Sequence, residues 1–225
     1  MTDTSPDADL PLEHVHVAPD DDTDGGPAPA VFVLHGRGAD EEDLLPVARH
    51  LPDCLCVISL RAPDPLQGGY TWYDLDISDG GLEGSQPDAD GFRRSLDLVA
   101  ESVEAATEAY DLDSDGIGLL GFSQGAITSL SLVLEEPDRY AWVVALHGYL
   151  AESHAELDPD RIAGKPVFVG AGAGDRVIAA SRSAAAAERF AEIGADVTHD
   201  SYPGGHGIGQ AELTDVVAFV EDRVA

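Results

Sequence analysis

Short apolar runs alternate with amphipathic stretches along most of this chain. The runs "AVFVLHG" (30–36), "CLCVISL" (54–60), "GIGLLGF" (116–122), "YAWVVAL" (140–146) and "KPVFVGA" (165–171) are short and largely continuous in their apolar character. Runs of this length, bounded by turn signals, fit strands covered on both faces. "PLEHVHVAP" (11–19) alternates polar with apolar positions, and "DVTHDSY" (196–202) reads as a further strand. Between them, "ADEEDLLPVARHL" (39–51), "PDADGFRRSLDLVAESVEAATEAY" (87–110), "AITSLSLVLEE" (126–136), "SRSAAAAERFAEIG" (181–194) and "AELTDVVAFVEDRV" (211–224) have helical character. Strands alternating with helices imply an α/β fold, a mostly parallel sheet with helices on both faces. No repeat or linker divides the chain, so residues 1–225 read as one domain. Residues 1–29 hold an N-terminal strand and an acidic turn, and residues 62–91 a long loop rich in Pro, Gly and aromatics. A loop this long inside a compact domain is usually functional or disordered, and the aromatics favour function.

The candidate chemistry sits where one of these runs ends. In "GLLGFSQGAITSL" (118–130) an apolar run enters Gly121-Phe122-Ser123-Gln124-Gly125 and a helical pattern leaves it. G-x-S-x-G between a strand and a helix is the context of a nucleophilic serine held on a sharp turn. A serine hydroxyl needs a base to take its proton, and the base needs a carboxylate to orient it. In this fold the chain order is Ser, then acid, then His, each just past a strand. Asp175 follows "KPVFVGAGAG", and His206 follows "DVTHDSYPGG" in a Gly-rich loop ahead of the last helix. The competitors are His199, inside a strand pattern, and Asp196 and Asp200, which flank it; His14 and His16 lie far off near the N-terminus. An oxyanion hole needs two convergent backbone N–H groups. One comes from the residue after the nucleophile, Gln124, and the other from the loop His35-Gly36-Arg37-Gly38 after "AVFVL".

Five separated motifs, "LHGRGADEEDLLPVAR", "RAPDPLQGGYTWYDL", "GFSQGA", "GDRVI" and "YPGGHGI", resemble in order the phospholipase/carboxylesterase group of α/β-hydrolases. That group includes acyl-protein thioesterases and small carboxylesterases. The resemblance implies the α/β-hydrolase fold and ester hydrolysis through an acyl-enzyme, with Ser123, Asp175 and His206 as triad. It implies Arg37 and Gln124 as oxyanion donors, and a loop whose Tyr70, Trp72 and Tyr73 line the acyl site. Two departures from the group concern the pocket. The group usually carries His-Gly shortly before the acid, where this chain reads "GAGAGD". It often has serine where this chain has His147, which is therefore placed with the substrate-binding residues. Alternatives are a thioesterase or lysophospholipase with the same machinery, or a non-catalytic binding module on this fold.

Composition narrows the partners. Forty-three acidic against 12 basic residues give a net charge of -31, spread along the whole chain, and Lys165 is the only lysine. No basic patch for nucleic acid or an anionic membrane fits that balance. An acidic coat with so little lysine resembles proteins of organisms with a saline cytoplasm. No apolar run has the ~20 residues of a membrane span. The N-terminus has neither a basic nor an apolar segment of a secretory signal, so a cytoplasmic protein is expected. Cys54 and Cys56, two apart in a strand pattern, are poorly placed to bridge and read as reduced, buried packing residues. "GAGAGD" lacks the spacing of a dinucleotide turn and Gly164-Lys165 is followed by Pro166, so no nucleotide cofactor is indicated. The triad chemistry needs no metal. The expected partner is a small ester with an apolar acyl group, and monomer and homodimer both stay open.

Surface repulsion of this size opposes folding in dilute buffer, and at molar salt its range shrinks to about 3 Å. Melting temperature and ester turnover are therefore expected to rise together from dilute buffer to molar KCl. Equal values at both ends would remove the link between charge and salt.

Overall fold

A computed structural model describes residues 8–19, 26–76 and 84–224. In chain order the strands are β1 (His14–Val17), β2 (Ala28–Leu34), β3 (Cys56–Leu60), β4 (Asp64–Leu66), β5 (Gly69–Thr71), β6 (Leu75–Asp76), β7 (Gln86–Pro87), β8 (Leu112–Phe122), β9 (Trp142–Leu146), β10 (Pro166–Gly172) and β11 (Asp196–Tyr202). The helices are α1 (Leu45–Ala48), α2 (Ala89–Ala109), α3 (Gln124–Glu135), α4 (Ala180–Glu192) and α5 (Gln210–Val224). Seven strands form one sheet in the order β1-β3-β2-β8-β9-β10-β11. All its pairs are parallel except β1 with β3. β4 pairs with β5 and β6 with β7 in two small antiparallel ribbons within the aromatic loop.

The continuous apolar runs are explained by two cores. In β2, Ala30, Phe32 and Leu34 pack on one face, and Val31 and Val33 on the other. β9 divides the same way, Val143 and Ala145 against Trp142, Val144 and Leu146. Side chains alternate across a strand, so a strand buried on both faces reads as a nearly continuous apolar run, with Ser59 of β3 the polar exception. α2 buries Phe92, Leu96, Val99, Val103 and Ala106, a stripe at helical spacing. Its first turn is capped by Asp88, whose carboxylate accepts the Gly91 N–H at 2.8 Å. β11 is different: it is the edge strand, and Asp196, Thr198, His199, Asp200 and Ser201 are exposed or nearly so.

Two expectations change here. The helix expected over 39–51 is confined to Leu45–Ala48. Before it come tight turns, with the Glu42 N–H bonded to the Asp40 side chain and the Asp43 N–H to the Asp40 carbonyl. Pro46 has no N–H to donate to the preceding turn, so the helix cannot extend backward through it. Cys54 sits in a turn before β3 and Cys56 is buried within it, both as free thiols. Most of the acidic turn, 20–25, and residues 77–83 of the aromatic loop lie outside the described residues.

The layers meet most closely under Ser123. A Cβ on Gly125 would lie 2.0 Å from the Leu34 carbonyl oxygen, and one on Gly121 would lie 2.3 Å from the Gly125 carbonyl oxygen. Both obstacles are backbone. Gly125→Ala should therefore destabilise the fold by about 1–3 kcal/mol, as overpacking does, while Gly207→Ala, with nothing within 4 Å, should change little. Urea midpoints of the two variants check this.

Candidate active site

Ser123 stands between the end of β8 and the start of α3 with φ 54° and ψ -115°. A non-glycine residue at such a φ is strained, and here the strain is held by packing on both sides. The Ser123 N–H donates to the Leu146 carbonyl at 2.9 Å, and its own carbonyl accepts the Ile127 N–H at 3.1 Å. The hydroxyl is thereby presented at the C-terminal end of the sheet.

His206 comes from the loop between β11 and α5, and its Nε2 lies 3.0 Å from Ser123 Oγ. Its Nδ1 lies 2.7 Å from Asp175 Oδ2. A carboxylate oxygen only accepts, so Nδ1 carries the proton and Nε2 is free to accept from the serine. Asp175 follows β10, its side chain 1% exposed. Its Oδ1 accepts the N–H groups of Val177 and Ile178 at 2.8 and 3.1 Å. Burial alone would raise its pKa; the bonds from His206, His147 and the two amides outweigh that and hold it below the usual value.

His147 is not where the sequence places it. It is 1% exposed, behind Asp175 rather than in a cavity. Its Nδ1 lies 3.1 Å from Asp175 Oδ2 and its Nε2 lies 3.1 Å from Glu212 Oε2. Both its ring nitrogens therefore meet carboxylates. Burial lowers its pKa, but the two carboxylates more than offset this and the net direction is up. A doubly donating imidazolium satisfies both partners, whereas a neutral ring would point a lone pair at one of them. Gly170 makes the room: a Cβ there would lie 2.2 Å from Glu212 Oε1.

The aromatic loop also differs from expectation. Trp72 and Tyr73 are fully buried and are not among the residues lining the cavity beside Ser123. Trp72 Nε1 donates to the His35 carbonyl at 2.8 Å, and Tyr73 packs edge-on against Phe92. Tyr70 lies under the Arg61 guanidinium, and its backbone pairs with Gly38 and Ala39. These residues brace the site from behind. The Trp72 N–H donates to the Gln124 side-chain oxygen at 3.2 Å, and Gln124 Nε2 donates to the Tyr73 carbonyl at 2.9 Å.

The loop carrying Arg37 is pinned too. The Ala62 N–H donates to His35 Nε2 at 3.1 Å, so His35 Nδ1 holds the proton and donates to the Gly36 carbonyl at 2.7 Å. Burial pushes the His35 pKa down, which keeps this tautomer neutral. Among the described residues the Arg37 N–H has no acceptor. Gln124 opens α3, so its N–H has no carbonyl a turn earlier to reach.

Arg37, Ser123 and Gln124 border a cavity of about 200 Å³ whose wall includes Leu75, Ile127, Tyr149, Val177 and Ile178. A larger depression of about 750 Å³ lies at the other end of β8, lined by acids such as Glu104, Glu108 and Asp138. Ligand atoms of His147, Asp175 and His206 fall within 4.8 Å of one another. A cation there would displace the proton that fixes His206 on Asp175, so this donor set does not fit a metal alongside the serine–histidine contact.

Residues 21–223 match the family model "Phospholipase/Carboxylesterase". The chain belongs to that family. It is accordingly a hydrolase of carboxylic esters on the α/β-hydrolase fold. It is 29% identical over 167 residues to acyl-protein thioesterase 1 of Debaryomyces hansenii, covering 71% of each chain. It is 26% identical to the putative hydrolase MhqD of Bacillus subtilis, over 86% of this chain and 93% of that protein. The carboxylesterase of Bacillus cereus has the same fold, with a TM-score of 0.82 over 94% of both chains at 23% identity. Among the described residues no helix is long and apolar enough to cross a membrane.

Of the residues singled out in the sequence, Ser123, His206, Asp175, Arg37 and Gln124 converge at one site. Glu212 escaped notice, although it had a signal: it shares the inward stripe of α5 with Val216, Phe219 and Val220. A group whose folded pKa is raised, like His147, contributes stability that is full below its ordinary value of 6.5 and lost as pH rises through the folded value. Glu212→Gln removes one of its two carboxylates. The melting-temperature gap between wild type and this variant should thus be widest below pH 6.5 and narrow as pH rises above it. A gap independent of pH would assign the shared proton to a carboxyl instead.

Proposed function

We propose that the protein is a serine esterase that works through an acyl-enzyme, with Ser123 as nucleophile, His206 as general base and acid, and Asp175 as the orienting carboxylate. The observation that carries this reading is the unbroken line from Ser123 Oγ to His206 Nε2 at 3.0 Å and from His206 Nδ1 to Asp175 Oδ2 at 2.7 Å. Ser123 Oγ attacks the ester carbonyl as Nε2 takes its proton. The imidazolium formed is stabilised by Asp175 and gives the proton to the departing alcohol. Water then attacks the acyl-enzyme by the same route in reverse, releasing the acid and restoring the hydroxyl.

The backbone N–H groups of Arg37 and Gln124 are the oxyanion donors in this reading. Their availability supports it, and each such donor is worth about 3 kcal/mol in the transition state. The apolar wall of Leu75, Ile127, Val177 and Ile178 fits a short acyl chain. A thioester presents the same carbonyl, and the acyl-protein thioesterase among the relatives favours testing one alongside oxygen esters.

Ser123→Ala should lose both turnover of p-nitrophenyl butyrate and labelling by a fluorophosphonate probe while its circular dichroism stays that of the wild type. Asp175→Asn should keep labelling slow but measurable and cut turnover by up to about 10⁴-fold through the wrong imidazole tautomer. Full activity in the alanine variant would refute the assignment, and a larger loss in Asp200→Asn than in Asp175→Asn would move the acid. Across p-nitrophenyl esters, butyryl should be turned over faster than palmitoyl.

A further inference from the structure

The cavity at Ser123 combines two chemistries. Its wall is apolar, but two arginines, Arg37 and Arg176, also line it. Both are exposed. In a chain with 43 acidic and 12 basic residues, a guanidinium rarely lacks a carboxylate nearby. Most arginines here are ion-paired, among them Arg61 with Glu41, Arg93 with Asp97 and Arg161 with Asp138. Lys165 donates to the Tyr140 carbonyl, and Arg182 lies over the Tyr149 ring. Among the described residues only the side chains of Arg37, Arg49 and Arg176 have no carboxylate, carbonyl or ring partner. Two of those three flank the reacting serine.

That placement has a consequence for the substrate. The field of a molecule with net charge -31 repels anions from most of its surface. Two guanidiniums without a paired carboxylate at one small cavity offset that field there. Guanidinium groups meet carboxylates with paired N–H donors in a planar fork, a geometry that neutral groups do not exploit. A neutral apolar ester would gain nothing from either arginine.

We propose that the enzyme acts on esters that carry a carboxylate a few bonds from the scissile carbonyl, with Arg37 and Arg176 holding that carboxylate at the cavity mouth. The proposal rests on the esterase reading above and specifies its substrate class. The apolar wall takes the methylenes between the two ends, so a monoester of a short dicarboxylic acid fits both chemistries. The reaction is the hydrolysis already described: Ser123 displaces the alcohol, which leaves with the proton from His206. Water then cleaves the acyl-enzyme and frees the dicarboxylate.

The test compares kcat/KM for three esters: p-nitrophenyl butyrate, the p-nitrophenyl monoester of glutaric acid, and 4-butyryloxybenzoate. The second carries its charge on the acyl side and the third on the leaving group. The measured quantity is the ratio of each charged ester to the neutral one, with the charged pair corrected for intrinsic reactivity by alkaline hydrolysis rates. The corrected ratio for the glutarate monoester should exceed one in the wild type. It should drop about fivefold in Arg176→Gln and again in Arg37→Gln, the size expected of exposed ion pairs, and stay put in Arg49→Gln. A drop confined to 4-butyryloxybenzoate would overturn the acyl-side placement. Ratios at or below one, or ratios that none of the variants moves, would overturn the proposal while hydrolysis of the butyrate leaves the esterase reading intact. No turnover of any ester, with no probe labelling, would instead remove the reading on which it rests.

Discussion

Backbone meets backbone beneath Ser123, where side chains normally hold secondary structures apart. Gly121 and Gly125 bring the start of α3 against β8 and the end of β2, close enough that a single methyl at Gly125 would fall 2.0 Å from the Leu34 oxygen. This contact fixes the first turn of α3, and with it the direction of the Ser123 side chain and of the Gln124 N–H. It also ties the serine to the loop after β2, because Leu34 leads directly into His35, Gly36 and Arg37. Two glycines thus set the relative position of the hydroxyl and both amides that border the cavity. The positive φ of Ser123 is a local cost that this contact imposes.

Asp175 is the second point on which the site turns. Its two oxygens accept four hydrogen bonds, two from backbone and two from imidazoles. A buried carboxylate needs that many partners to stay ionised. His147 supplies one of them, and its other nitrogen meets Glu212. The result is a line of hydrogen bonds from Glu212 on α5 through His147, just past β9, to Asp175 in the loop after β10. It braces the acid at Oδ2, the same oxygen that meets His206, whose side chain is 17% exposed.

Much of this could be read from the chain, for reasons that differ from residue to residue. The strands were legible because burial on both faces makes them continuous apolar runs. Ser123 was legible because two glycines bracket it where one such run becomes a helix, and Asp175 and His206 because each follows a strand in the right order. The aromatic loop misled. Tyr70, Trp72 and Tyr73 look like ligand contacts, yet their backbone serves Gln124 and the Arg37 loop, while their rings fill space behind. Nothing local marks the cavity wall itself, since Leu75, Ile127, Tyr149 and Val177 come from four separate segments. Glu212 was hidden in a different way: one inward acid on α5 is inconspicuous among 43 acidic residues.

β11 closes the sheet on one side with a strand whose side chains are mostly polar and exposed. An open edge presents unpaired N–H and C=O groups to any other extended chain. Here a second copy docking on that edge would bring its own Asp196 and Asp200 against the same carboxylates, at strand spacing of about 4.8 Å. Opposed rows of like charge are unfavourable. The acidity that marks the whole surface therefore disfavours edge-to-edge pairing of two copies at β11.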